Sequence, residues 1–423
     1  MELEELLKGI DSCECGKSHP CPIKHVVIRS GAICEIPKLT ETYNKILLVA
    51  DENTYRAAGE LVVKKIGEKI YNKVIFDGGK ILVPNEEAIE RILSFITPEV
   101  DLVLGVGSGV INDLCKHTSF LSSLPYHIVA TAPSMDGYAS KGAALILGGM
   151  KVTLNADTPE AIIADTDVLM NAPMDMILAG YGDIIGKYSC LSDWKLSALV
   201  NDEYICERVL EATYEEVEKT SKIARAIIAR DPEAIATLIG ALVSVGILMA
   251  YVGNSRPASG SEHHLSHYFE IVGLVKGEEY LPHGIDVFYS AAETARIREE
   301  LMCADYRKTT SKFNRKKYEE NIRRIYGSVA DEVIALQDKL GWYENIEKRL
   351  AVYREKWREI PGLLFEAPSF SEMRLMLIEV GMDYDDFVNT YGEDKIRDAW
   401  LYAKDLKDRY SVLWLYSDLL YSE

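Results

Sequence analysis

Positive charge is what this chain is short of. Its 47 basic side chains stand against 66 acidic ones, a formal net charge of −19, which repels phosphate backbones over most of the surface and argues against nucleic acid as a partner. No export signal is expected either, because the opening MELEELLKGIDSCECGK is acidic and has no charged-then-apolar pattern. Cysteine is sparse. Eight in 423 residues, four of them before residue 35, exclude the dense disulfide framework of a small secreted domain and point to a reducing cytoplasm. Internal repeats, low-complexity tracts and disordered linkers are absent. Apolar side chains are plentiful at 48%, enough for the two domains that this length leads one to expect.

Charge is absent from one long run, IATLIGALVSVGILMAYVG, which ends at Gly253 and matches a bilayer span in length. It is solitary, carries Thr237, Gly240, Ser244 and Gly246, and leads directly into a group of histidines. We therefore read it as a buried helix of a helical domain and expect no membrane span.

Between residues 1 and 172, β-rich runs alternate with helical ones. HVVIRS, KILLVAD, KVIFDG, VDLVLGVG and YHIVATAPS are candidate strands, and TYRAAGELVVKKIGEKI and NEEAIERILSFI have apolar positions at helical spacing. This alternation predicts an α/β fold whose N-terminal nucleotide-binding domain is a Rossmann-like, doubly wound sheet. Beyond Ser140, strand-like runs flank Gly148 and Gly149, which predicts a hairpin and one further strand. From 173 to 423 long helical periods predict an all-helical, metal-binding domain, its last hundred residues exposed helices that pack through aromatics. An active site in the cleft between the domains is the natural expectation.

Chemistry concentrates in PASGSEHHLSHYFE and YLPHGIDVF. Of eight histidines, four fall between 263 and 283. His263 and His267 are four apart and share a helix face, and His283 opens the next element after a loop with Gly277 and Pro282. A lone histidine is more often an ordinary polar group, but clustering beside Ser259, Ser261 and Glu262 suits a metal-binding pocket better than an apolar core. Asp183 has Lys187 four residues on, so a surface ion pair competes with a ligand role. The small neighbours Gly180, Gly182 and Gly186 favour the latter. One carboxylate with two imidazoles is the open, catalytic arrangement for zinc, and nickel or ferrous iron accept the same donors.

VDLVLGVGSGVINDLCKH places Gly105, Gly107 and Gly109 where a strand gives way to a helix. Such a turn lets backbone amides approach a pyrophosphate, although the third glycine comes two residues after the second, one short of the dinucleotide fingerprint. Asp51 ends a strand, where a carboxylate either receives a ribose or caps the helix that follows. The polar loop TAPSMDGYASKG offers Thr131, Ser134, Asp136 and Ser140 to a ligand. Near the N-terminus, Cys13, Cys15, His19 and Cys21 form a compact soft-donor set, read either as an accessory zinc site or as reduced thiols on a surface segment.

In their order along the chain, GVGSGVINDL, TAPSMDGYAS, GYGDIIGKYSCLSDW, RPASGSEHHLSH and LPHG resemble the iron-containing alcohol dehydrogenase superfamily, most closely its branch of bacterial glycerol-1-phosphate dehydrogenases. The resemblance covers nearly the full length, and no motif of it falls beyond about Pro361. It implies that Asp183, His263 and His283 hold one divalent metal, zinc, nickel or iron, and that His267 and Asp183 serve catalysis. Asp136, Asp183 and His267 would touch substrate. Contacts to NAD(P)H would fall on Gly107, Ser108, Gly109, Val110, Ile111 and Asp113, on Thr131, Ala132, Pro133 and Ser134, and on Ser140, with Asp51 on the adenosine side. Dehydroquinate synthases of the same scaffold typically carry glutamate at the first ligand position, so Asp183 disfavours the cyclase. His264 lacks a histidine four positions on, which leaves it to an outer layer or the surface.

The implied reaction is metal-dependent, reversible reduction of dihydroxyacetone phosphate to sn-glycerol 1-phosphate, by a homo-oligomer. Lys141, Lys187 and Arg256 are candidates for the substrate phosphate. Two other readings remain: a glycerol or polyol dehydrogenase of the same scaffold, and a metal-stabilised binding protein without catalysis.

Overall fold

The structure is a computed structural model and describes residues 1–148, 150–307 and 313–420. It contains two compact units, Met1–Ile184 with Glu218–Asn254, and Ile185–Val217 with Ser255–Glu423. Two continuous helices carry the chain across: Met174–Asn201 passes from the first unit into the second, and Glu207–Ser221 passes back.

The first unit is built on a six-stranded sheet of β1 (His25–Arg29), β2 (Ile46–Asp51), β3 (Ile70–Phe76), β4 (Leu102–Gly107), β5 (Tyr126–Ala130) and β8 (Ala161–Asp165) in the order β1-β8-β5-β4-β2-β3. Every pairing is parallel. Leu48, Leu104, Val106, Val129 and Ile163 are buried in its core, which explains why these strands read as near-continuous apolar runs. The expected hairpin is β6 (Gly142–Leu147) with β7 (Met150–Asn155), antiparallel, and Gly148 takes φ +59° at its turn. Gly149, expected in the same turn, lies outside the described residues.

Chain order reverses between β2 and β4. From β2 the chain steps outward to β3, then returns to β4 on the other side and continues to β5. At such a switch point the loops at the carboxyl ends part, and open α/β sheets place their ligands there. Val49 lies opposite Gly105, so Asp51 and Gly107, each two residues further on, end the two strands that flank the switch.

We number the helices that matter to the site: α1 (Glu60–Ile66), α2 (Glu86–Leu93), α3 (Gly109–Leu121), α4 (Met174–Asn201), α5 (Glu207–Ser221), α6 (Pro232–Val252), α7 (Ser261–Lys276) and α8 (His283–Met302). The uncharged run forms α6, long and apolar enough to cross a membrane, yet 67% of its most apolar window is buried within the protein. Its ends are those of a helix in a globular core. Asp231 caps the amides of Glu233 and Ala234, Pro232 stands at the first turn, and Gly253 closes it at φ +76°.

The second unit is helical among its described residues. Its aromatics do pack together, but the C-terminal helix is buried and not exposed: Val412, Leu413, Trp414, Leu415 and Asp418 are all inside. The reason is a charged pair within the core. Arg349 Nε and Nη2 donate to the Asp418 carboxylate at 2.7 and 2.9 Å, and Tyr353 donates to the same group at 2.8 Å. With its partners satisfied, an acidic residue can sit on an otherwise apolar helix face.

Candidate active site

Local geometry at the end of β4 follows from two glycines. A Cβ on Gly107 would lie 2.5 Å from Cβ of Ile111, so only glycine lets α3 start this close to its strand. At Gly109 the same addition would meet Met135 Sδ at 3.1 Å. Ser108 precedes α3 without a side-chain cap, which leaves the first amides of a 13-residue helix for an anion. Ile111 is buried against the turn and Val110 is half-buried.

Asp51 caps the helix that follows β2. Its Oδ1 accepts from Asn53 and Thr54 at 2.8 and 2.9 Å, and no capping bond falls on Oδ2. Asp113 and Ser140 face inward. Asp113 Oδ2 accepts from the Ala144 amide at 3.1 Å, and its carboxylate lies 3.6 Å from Lys116 Nζ. Lys116, fully buried, donates to Gly137 O at 2.7 Å, to Gly142 O at 2.8 Å and to Ser140 Oγ at 3.2 Å. One buried cation therefore ties α3 to the loop that carries Asp136. Nothing in the spacing of the sequence singled Lys116 out.

The loop after β5 is pressed into place by helices. A Cβ on Gly180 of α4 would sit 1.8 Å from Pro133 O, and one on Gly246 of α6 would sit 2.7 Å from Asp136 O. Both glycines allow direct backbone approach. Thr131 and Ala132 are buried, and Ala132 O accepts from the Tyr138 hydroxyl at 2.7 Å. Asp183 is buried one turn beyond Gly180, and its Oδ2 accepts from the Asp136 amide at 3.0 Å. A surface ion pair with Lys187 is ruled out, because Lys187 is itself fully buried.

In the second unit the three histidines meet. Ring centroids of His263 and His283 are 5.2 Å apart, those of His267 and His283 5.3 Å, and those of His263 and His267 6.0 Å. Gly277 ends α7 at φ +67° and Pro282 precedes α8, so the loop between them returns the chain to the same place. Each candidate ligand is oriented through Nδ1. Glu262 Oε1 lies 2.7 Å from His263 Nδ1, and Ser266 Oγ lies 3.3 Å from His283 Nδ1. Hydrogen bonds through one ring nitrogen are usual around metal-ligating histidines. Glu262 and Ser266 in these roles were not evident from the sequence, since adjacency says nothing of which nitrogen a carboxylate reaches.

His264 is not at the surface. A helical step of about 100° turns it away from its neighbour into the interior, where it is fully buried and neither ring nitrogen has a hydrogen-bond partner. Burial holds its pKa well below the usual imidazole range, and nearby Arg409, Lys407 and Arg256 push the same way. It stays neutral. Of the phosphate candidates, Lys141 is exposed, Lys187 is buried, and Arg256 donates to Glu203 at 2.6 Å and to Tyr410 O at 2.8 Å.

A family model described as iron-containing alcohol dehydrogenase matches residues 27–173. Solved structures share the fold: an alcohol dehydrogenase from Oenococcus oeni aligns with TM-score 0.58 at 14% identity over 89% of this chain and 92% of that one. A sulfoacetaldehyde reductase from Bifidobacterium kashiwanohense, solved with NAD+, aligns with TM-score 0.56 at 15% identity over 90% and 91%. These likenesses show a shared fold. Curated relatives narrow this further. The glycerol-1-phosphate dehydrogenase (NAD(P)+) of Halalkalibacterium halodurans is 35% identical over 68% of this chain and 74% of its own. That of Bacillus licheniformis is 30% identical over 96% and 92%. This chain belongs to the glycerol-1-phosphate dehydrogenase family.

Proposed function

We propose that the protein reduces dihydroxyacetone phosphate to sn-glycerol 1-phosphate with NADH or NADPH, and catalyses the reverse oxidation. The observation that carries the chemistry is the convergence of His263, His267 and His283, two of them held through Nδ1. This donor set fits a divalent cation, and in our reading Asp183 joins His263 and His283 in holding it. When bound, such an ion supplies Lewis acidity toward a ketone oxygen.

The remaining work falls to the chain itself. Amides at the start of α3 bind the pyrophosphate of the nucleotide, Asp51 Oδ2 receives a ribose hydroxyl, and the loop from Thr131 to Ser134 lies along the cofactor. Asp136, fixed by its amide on Asp183, orients the substrate hydroxyl. His267, half-buried, passes a proton to the oxygen that gains charge as hydride reaches C2. Glu262 keeps His263 in one tautomer. We further propose a cytoplasmic homo-oligomer.

The test adds single divalent metals to apo-protein and follows NADH loss with dihydroxyacetone phosphate, then with unphosphorylated dihydroxyacetone. Turnover of the phosphate ester with formation of the sn-1 enantiomer supports the reading. Preference for the free ketone would replace it with a polyol dehydrogenase. His283→Ala should lose turnover and the catalytic metal while still binding nucleotide.

A further inference from the structure

Before β1 the chain forms a strap that is almost without regular structure, its one helix being the four residues Leu3–Leu6. Such a segment has little core of its own, yet Leu6, Ile10, Cys13, His19 and Ile23 are all buried. Its fold is a small closed loop. Ile10 and His19 exchange backbone hydrogen bonds of 2.9 and 2.7 Å, and within them Cys13 O accepts from the Gly16 amide at 2.9 Å. Gly16 takes φ +81°, which a side chain would resist. The outcome is that Cys13, Cys15 and His19 each present a ligand atom to one small space, all within 4.8 Å of one another. Cys21, grouped with them by sequence, is not part of this set.

The imidazole is oriented as a metal ligand. His19 Nδ1 lies 2.9 Å from Tyr251 O on α6, and a carbonyl only accepts, so Nδ1 carries the proton. Its lone pair is therefore on Nε2, which lies 3.3 Å from Cys15 Sγ. Stacking on the Tyr251 ring at 5.5 Å fixes the plane. In a tetrahedral zinc site with bonds of about 2.3 Å to sulfur and about 2.0 Å to nitrogen, neighbouring S and N donors sit about 3.5 Å apart. The observed spacing already approaches that edge.

We propose that Cys13, Cys15 and His19 bind a structural zinc ion. Two thiolates and one imidazole are donors of the kind that structural zinc sites use. This site is separate from Asp183, His263 and His283. Its role is to clamp the strap, as metals do for segments too small to bury a core of their own.

The test uses the full-length protein carrying His263→Ala and His283→Ala, so that the histidine cluster no longer contributes. This variant should retain about one zinc per chain after dialysis against a mild chelator, by elemental analysis. Replacing zinc by cobalt should give the intense near-ultraviolet thiolate-to-cobalt absorption that carboxylate and imidazole ligands cannot produce. Cys13→Ser and Cys15→Ser should each remove a large part of that band, and Cys21→Ser none. Cys15→His, which keeps the number of donors, should retain the metal even if Cys15→Ser loses it or folds poorly. Absence of zinc and of the thiolate band from the double-alanine protein would overturn the proposal. A band unchanged by Cys13→Ser and by Cys15→Ser would overturn it equally.

Discussion

Glu262→Gln isolates one hydrogen bond at the histidine cluster. Glu262 is fully buried and its Oε1 takes two contacts, the Gly260 amide at 2.8 Å and His263 Nδ1 at 2.7 Å. Because a carboxylate accepts only, it fixes the proton on Nδ1 and makes Nε2 more electron-rich. Glutamine preserves the volume and one acceptor but removes the charge. Partners of this kind are worth roughly 10–100-fold in metal affinity, or about 1.4–2.7 kcal/mol. Glutamine should fall near the lower end and Glu262→Ala near the upper. The assay measures turnover against buffered free metal and reads the half-saturating concentration, with NADH binding followed separately by fluorescence. A half-saturating concentration within twofold of the parent for both variants would refute the argument, as would a lower kcat with unaltered metal dependence.

Three other perturbations test the scaffold. Gly180→Ala places a methyl 1.8 Å from Pro133 O, a backbone atom that must move, so we expect a loss of about 1–3 kcal/mol in denaturant unfolding and a raised KM for nucleotide. Gly107→Ala brings Cβ to 2.5 Å from Cβ of Ile111; calorimetry should show at least about tenfold weaker NADH binding, near 1.4 kcal/mol, partly restored by adding Ile111→Ala. His127 is buried and its pKa is lowered to about 4, first by burial, with Glu160 at 3.9 Å opposing. Its folded value lies below the unfolded one of about 6.5, so the unfolded chain binds more protons between these limits and stability falls as pH drops from 6.5 toward 4. Up to about 3 kcal/mol is at stake, and His127→Gln should flatten unfolding midpoints across that window if the reasoning holds.

Much of the sheet was legible because its signals are local. Strand and helix periods, the hairpin at Gly148 and the turn from Gly107 to Gly109 depend on residues within a few positions of each other. Spacing likewise placed His263 and His267 on one helix face, and Gly277 with Pro282 marked the loop that returns His283. The departures share one cause, which is burial by distant segments. His264 is interior although its neighbour faces the cluster, Lys187 is buried where an exposed pair was conceivable, and the C-terminal helix is covered because Arg349 neutralises Asp418. Cys21 stands near Cys13 in sequence but the loop closed by Ile10 and His19 turns it elsewhere.

By itself, then, the order of residues determined which elements form, where the chain must lack a Cβ, and which imidazoles can share a face, since these follow from backbone geometry and periodicity. Tertiary structure alone decided how His283 is held through Nδ1, that Lys116 pins the loop carrying Asp136, and that Cys15 and His19 meet. Those outcomes depend on hydrogen bonds to Ser266, Gly137 and Tyr251, and a carbonyl more than two hundred residues away, as Tyr251 is from His19, leaves no trace in local pattern.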